Sequence, residues 1–440
     1  MTQSQALSIL KTGANVFLTG EPGSGKTYMI NEYAAYLREQ GIEPAITAST
    51  GIAATHIGGT TIHSWSGIGI KTKLDKHELG KIVSNKYIAK RIYHARVLII
   101  DEISMLSAET FSMIDVVCRE IKQKTESFGG MQLVLVGDFF QLPPIIKTEK
   151  ENNAQIAFLG KSSARFAYDS SAWERVNPVV CYLTEQYRQD DQNFLSILSS
   201  IRRNVFGVNQ LRYIETRKIK DGSAPNGVPK FFSHNIDVNR VNDEMLASLK
   251  GEQRTFLMFS QGPEALIVAL KKGCLSPEIL RFKVKAAVMF TKNSPKKGFM
   301  NGTLGMIDGF NKVSGYPMIK TREGKIIEVE PMDWIMEEDG KARAKITQLP
   351  LRLAWAITVH KSQGMCLDEA TMDLSQVFEF GQGYVALSRV RRLSGLYLLG
   401  WNDLAFQVHP EILAKDESFR LASEKVEIEF TKIHNSSFAR

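Results

Sequence analysis

The chain has 440 residues, 43% hydrophobic and 23% charged, enough for two or three domains with their own cores. Fifty-five Lys and Arg against 47 Asp and Glu give a formal charge of +8, a mild bias toward a polyanionic partner. Cys118, Cys181, Cys274 and Cys366 are too scattered for a metal knuckle or redox pair, no basic leader precedes an apolar core, and no run reaches the roughly 20 apolar residues of a membrane span; a disulfide scaffold, a secreted protein and a membrane protein are set aside, and a cytoplasmic enzyme is expected.

In chain order, NVFLTG at 15–20, AITAST at 45–50, RVLIIDE at 96–102 and LVLVGD at 133–138 are short apolar runs without clean alternation, the pattern of strands buried on both faces of a parallel sheet. KTYMINEYAAYLREQ lies between the first two, with Met29, Ile30, Tyr33 and Leu37 at helical spacing before Gly41. The alternation predicts a three-layer α/β domain whose ligand sites lie at the carboxyl ends of the strands. The lysine-rich stretch 71–96 reads equally as a small helical excursion or a long solvated crossover. Helical patterns dominate 186–250, short β-type runs between Gly, Asn and Pro turns fill 280–348, and a helix and strand pattern returns from 349. A β-rich insert inside a second α/β domain accounts for this order.

The chemistry starts at GEPGSGKT, 20–27. Gly20, Gly23 and Gly25 let backbone amides approach phosphate, with Ser24 completing the loop, and the helix that follows aims its dipole at the anion. Lys26 suits the β- and γ-phosphates and Thr27 suits Mg²⁺. RVLIIDE supplies Asp101 for the metal and Glu102 as general base toward water, a pairing that marks a hydrolase of nucleoside triphosphate; the plain alternative is a solvated turn after a strand. In VGDFFQLPP, Gln141 suits a γ-phosphate sensor or a simple cap before Pro143 and Pro144, and Phe139 reads as core or as an exposed ring that stacks on a base. Arg188 in LTEQYRQ and Arg389 in YVALSR offer planar positive charge for a phosphoryl transition state.

GEPGSGKT, TASTGIAA, TTIHSW, LIIDEISM, GDFFQLPP, LTEQYRQ, NGTLGMI, AWAITVHKSQG and GYVALSR, in this order over about 390 residues, resemble the Pif-type (petite integration frequency) family of superfamily-one DNA helicases, with RecD-like helicases as more distant relatives. The resemblance implies an α/β protein of two RecA-like motor domains. The first would span 1–185 with a small helical wedge inserted about 66–95, and the second 186–440 with an SH3-like β-barrel inserted about 280–348. It implies an ATP- and Mg²⁺-dependent helicase that moves 5′ to 3′ on single-stranded DNA and opens forked or tailed duplexes, with G-quadruplexes as a further substrate, in replication, repair or recombination. A monomer when free, associated with the nucleoid and of bacterial or phage size, is the form it suggests.

Carried over by residue, Arg188 and Arg389 become arginine fingers, Gly364 of HKSQG approaches the γ-phosphate, and a glutamine ahead of the first strand reads adenine, with Gln3 and Gln5 both candidates. The DNA path would use Thr50 and the backbone at Gly51 on phosphates, His63, Phe139, His360 and Lys361, and a loop shaped by Asn301 and Gly302. Three other readings stay open on sequence: a RecD-like subunit of a larger complex, a nucleotide-switched DNA-binding protein that does not unwind, and a P-loop kinase.

Overall fold

In the computed structural model of the chain, the residues described are 1–69, 71, 73–141, 143–144, 165–187, 191–220, 223, 225, 228–232, 235–322, 324–338, 341–358 and 367–437. Of the expected site residues, Arg188, His360, Lys361 and Gly364 lie outside them.

The chain forms two compact units, residues 1–187 with 414–440, and residues 188–413. The first is built on six parallel strands: β1 (Val16–Gly20), β2 (Ala45–Ala48), β3 (Thr60–Thr61), β4 (Val97–Asp101), β5 (Gln132–Val136) and β6 (Val179–Leu183), in the spatial order β3-β2-β4-β5-β1-β6. Every residue of β1 and β4 is buried, as continuous apolar runs require when helices cover both faces. Helix α1 (Gln3–Lys11) precedes the sheet, and α2 (Lys26–Glu39) follows β1 and buries Met29, Ile30, Tyr33, Ala34 and Leu37, the face its spacing predicts.

The lysine-rich stretch before β4 is helical. Two short helices, α3 (Lys76–Ser84) and α4 (Lys86–His94), are capped by Asp75 and Asn85, whose side chains accept from backbone amides of the first turn. Each buries one isoleucine, Ile82 or Ile92, and leaves its charged face in solvent.

The expected partition gives 186–440 to one domain, and the C-terminal helix (Pro410–Ser437) departs from it: from Ala414 onward it belongs to the first unit. Its packing explains why. Ser423 Oγ accepts from the Tyr182 amide at 3.0 Å, and Asp416, Arg420 and the Tyr182 hydroxyl bond to one another at 2.7 to 3.2 Å. Phe419 enters a cluster with Phe17 of β1, Phe139, Tyr168 and Trp173, at ring separations of 4.9 to 6.5 Å. Aromatic burial of this kind is worth several kcal/mol and holds the helix on the sheet.

The second unit contains a parallel sheet of four strands, β7 (Lys230–Phe232), β18 (Ala356–Thr358), β19 (Ala370–Leu374) and β20 (Leu396–Trp401), ordered β18-β7-β19-β20. Strand β7 falls in the stretch read as helical; three residues, KFF, are too few to show a period. Its antiparallel part begins before 280 and ends after 348. Strands β8 (Arg254–Leu257) and β9 (Phe259–Gln261) pair with β10 (Ile279–Phe282) and β16 (Lys341–Gln348), and β16 also pairs with β15 (Met332–Glu338). A five-stranded sheet orders β14 (Ile326–Glu328), β13 (Pro317–Thr321), β12 (Leu304–Phe310), β11 (Ala287–Phe290) and β17 (Leu351–Leu353) around a core that includes Phe282, Val288, Phe290, Ile307 and Leu351. No helix is long and apolar enough to cross a membrane among the described residues.

Phe419→Ala should lower the stability of the first unit by about 3–5 kcal/mol. Denaturant unfolding of the purified protein checks this, with a midpoint unchanged from wild type as the contrary result.

Candidate functional site

Strands β4, β5 and β1 are direct neighbours, and their carboxyl ends are level: Ile100 pairs with Leu135 and Leu18 with Val136. Each of the three ends carries one motif. The phosphate loop follows β1, Asp101 and Glu102 end β4, and the segment from Gly137 to Gln141 follows β5. Parallel pairing alone therefore gathers residues 20–27, 101–102 and 137–141 onto one rim.

In the loop, Gly25 has φ +85 and opens α2. The positive φ favours glycine, and a Cβ there would meet Gln3 Nε2 at 2.0 Å and push that side-chain amide off the loop. Lys26 Nζ donates to the carbonyls of Gly20 and Glu21 at 2.7 and 3.0 Å, which holds the ammonium over the loop. Thr27 is exposed at the first turn of α2.

Asp101 is buried, and burial with the adjacent Glu102 charge pushes its carboxyl up to about 7, against a downward pull from Lys26. That pull puts Lys26 and Asp101 in one electrostatic site. The Glu102 amide donates to Asp101 Oδ1 at 2.8 Å, and Glu102 itself is in the left-handed region at φ 53, an uncommon conformation for a side chain other than glycine. Ser49 secures the turn from β2, its amide donating to Asp101 O at 3.1 Å and its hydroxyl to Glu102 O at 2.8 Å.

Gly137 follows β5 with so little room that a Cβ would lie 3.0 Å from Ile103 N, and the motif that starts at Asp101 thus packs against the one that ends at Gln141. Gln141 is buried, and its amide donates to Asp138 O at 3.0 Å.

Phe139 does not take the exposed position that base stacking needs. It is 4% exposed and lies in the aromatic cluster with Phe17, Phe166, Tyr168, Trp173 and Phe419, so its role is to anchor the loop that carries Gln141. The two N-terminal glutamines also part. Gln5 closes a capping box on α1, its side-chain oxygen accepting from the Thr2 amide at 2.8 Å, whereas Gln3 Nε2 donates to Ser24 O of the phosphate loop at 3.1 Å.

Sequence reading missed the segment after β6. The Gln3 amide donates to Glu185 at 2.8 Å, Gln186 Nε2 donates to Glu21 at 3.1 Å, and the Tyr187 amide donates to Gly23 O at 3.0 Å. The Tyr187 ring, 64% exposed, flanks Gly25, with Cδ2 3.7 Å from the position of an added Cβ. A tyrosine directly ahead of Arg188 in LTEQYRQ was the available signal.

Thr50 caps the short helix 51–56 by accepting from the Ala53 amide, so Gly51 sits at that helix start. His63 lies in the helix Ile62–Ser66, and burial holds its imidazole below the usual histidine value, hence neutral at pH 7. In the second unit, Gly302 has φ +95, its amide donates to Phe290 O at 2.9 Å, and the Asn301 amide donates to the Asn293 side chain at 2.8 Å. Arg389 is 1% exposed and donates to Val385 O and Ser388 Oγ, at 3.0 and 2.9 Å. Cys118 and Cys181 are free buried thiols, and Cys366 lies outside the described residues.

A phosphate loop, a paired carboxylate and a glutamine on three neighbouring strand ends of a parallel sheet define a RecA-like nucleoside triphosphate hydrolase. The comparisons make the class narrower. The family model for PIF1-like helicase matches residues 3–203. An ATP-dependent DNA helicase Pif1 from Psychrobacter sp. (strain PRwf-1) is 39% identical over 98% of this chain and 73% of its own length. The crystal structure of Bacteroides sp Pif1 in complex with ADP-AlF4 aligns with a TM-score of 0.82 at 28% identity, covering 95% of this chain and 96% of that one. A Bacteroides Pif1 structure in complex with ADP-AlF3 and ssDNA aligns at 0.62 and 28% identity, covering 94% and 96%. The chain spans less than two thirds of the length of the vertebrate relatives it matches. The chain belongs to the PIF1-like helicase family, and by that membership it is an ATP-dependent DNA helicase.

Gly25→Ala should weaken ATP binding at least tenfold, because the added methyl displaces Gln3 and strains the loop. Titration with a fluorescent ATP analogue measures this; affinity equal to wild type would show that the loop relaxes freely.

Proposed function

We propose that the chain moves 5′ to 3′ along single-stranded DNA and unwinds forked or tailed duplexes, G-quadruplexes included, acting as a monomer when free and working at the nucleoid. The observation that supports this reading most is the shared rim on which Lys26 and Asp101 feel each other's charge while Glu102 and Gln141 occupy the neighbouring strand ends. Lys26 and the loop amides hold the β- and γ-phosphates, Glu102 accepts the proton of the attacking water, and Gln141 reports the state of the γ-phosphate. Arg188 and Arg389 add positive charge as the phosphoryl group transfers; Arg389 would exchange its bonds to Val385 and Ser388 for phosphate oxygens.

Mg²⁺ fits the donor set: Thr27 and Asp101 are hard oxygen donors, and a buried carboxyl raised to about 7 gains from a divalent cation that keeps it ionised. When bound there, the ion would neutralise phosphate charge. Gln3, which already reaches the phosphate loop, is the better candidate to read adenine, while Gln5 belongs to the helix cap.

On the DNA side, Thr50 and Gly51 are assigned to backbone phosphates, His63 to a neutral, sequence-tolerant contact, and Asn301 with Gly302 to a loop facing the strand. His360 and Lys361 extend that path, and Gly364 is assigned to the γ-phosphate.

Strand displacement with equal duplexes carrying a 5′ or a 3′ single-stranded tail tests the polarity. Displacement of the 5′-tailed substrate alone is expected, and displacement of the 3′-tailed one would reverse the assignment. DNA-stimulated hydrolysis with neither substrate opened would favour a subunit of a larger complex or a nucleotide-switched binder.

Glu102→Gln should bind ATP normally, lower turnover by roughly 10²–10⁴ and prolong the complex with single-stranded DNA. Single-turnover ATPase kinetics read this, and a normal rate removes Glu102 from the role of base.

A further inference from the structure

Arg352 lies at the middle of β17 in the second unit, and alternation along the strand separates it from its neighbours. Leu351 belongs to the core of the five-stranded sheet and Leu353 packs against that core, so Arg352 points to the opposite face. There it pairs in register with Met289 of β11, which is buried and outside that core, and Met289 in turn pairs with Leu304 of β12.

The side chain is 7% exposed. Its Nε is sealed from solvent without a hydrogen-bond partner, and among the described residues no carboxylate or other acceptor meets the guanidinium. Burial alone pulls its pKa below the usual guanidinium value, with no opposing charge. An arginine stays protonated under any physiological condition, and a buried charge without a counter-charge is strongly unfavourable. A buried charge in the first unit contrasts with it: the Asp115 carboxylate is met by both Arg119 and Arg175, at 3.0 and 2.8 Å. A cation kept in such a place points to an anion supplied from outside the fold.

The position says which anion. Arg352 flanks one side of β11, and the turn at Asn301–Thr303 docks on the other, through Gly302 N to Phe290 O and Phe290 N to Thr303 O, both 2.9 Å. That turn is the one assigned above to the DNA path.

We propose that Arg352 is a phosphate-binding residue of the second unit, taking one backbone phosphodiester of the translocating strand across β11 from the Asn301–Gly302 turn. The contact rests on the reading of the chain as a motor on single-stranded DNA. It is sequence-independent, as motion along any strand requires, and the guanidinium suits it because two of its donors reach one phosphate together.

The test compares wild type, Arg352→Met and Arg352→Lys by fluorescence anisotropy of labelled oligo(dT) across a NaCl series, with thermal melting in the absence of DNA. Loss of one phosphate contact should reduce the slope of log K against log salt by about 0.7 in the methionine variant. Affinity in low salt should fall about tenfold, with the lysine variant retaining the wild-type slope. The methionine variant should melt higher without DNA, since it removes an uncompensated buried charge. Equal slopes in wild type and Arg352→Met overturn the proposal, whatever the melting shows; should the methionine variant fail to fold, a wild-type slope and affinity in Arg352→Gln does the same. If inorganic phosphate raises the melting temperature of wild type alone while the oligo(dT) slopes agree, the site takes a free anion and the strand contact is overturned. Wild-type protein that binds no oligo(dT) at any salt overturns the motor reading itself, and this assignment with it.

Discussion

Parallel hydrogen bonding between β4, β5 and β1 is the constraint on which the site depends. Three motifs separated by up to about 120 residues share a rim because their strands are neighbours with aligned ends, and no side-chain contact is needed to bring them together. The side chains then refine what the backbone has placed. Ser49 fixes the turn of the carboxylate pair, Gly137 lets the third motif press against the second, and Lys26 is held over its own loop. A motor that couples phosphate chemistry to motion needs such rigid placement, since small displacements at the γ-phosphate decide which state is stable.

The electrostatics of this rim follow from burial. A carboxyl at the end of a strand buried on both faces is poorly hydrated, and its neighbour Glu102 adds repulsion, so Asp101 depends on nearby positive charge to stay ionised. The same dependence makes the site responsive to what occupies it, because cation, lysine and phosphate all change the balance between the two carboxylates.

What could be read from the sequence was what is local. Strands β1, β2, β4 and β5 announce themselves as apolar runs, and each expected motif residue on them sits where a strand end puts it. The face of α2 follows from spacing alone. What could not be read depends on partners far along the chain. Phe139 looks like an aromatic beside a sensor, and its place in the core shows only once Phe17, Phe166, Trp173 and, from the last helix, Phe419 are gathered around it. Gln3 and Gln5 are indistinguishable until α1 forms and the capping box claims one of them. Strand β7 has three residues and no period, and it is specified by the strands on either side. Nothing in LPLRLAWAIT marks Arg352 as buried; its burial appears only with the fold.

The return of the C-terminal helix to the first sheet has a consequence for synthesis. Strands β1 to β6 are synthesised before residues 188–413, which separate them from the C-terminal helix by about 10–45 s at ordinary translation rates. During that interval Phe17, Phe139 and Trp173 lack the ring that completes their cluster, and Tyr182 lacks its partners on the helix. The first unit cannot mature in the order in which it is translated. A nascent chain would present an unfinished hydrophobic surface to chaperones until its last segment emerges, and the nucleotide rim, tied to that cluster through Phe139, would reach its final form only then.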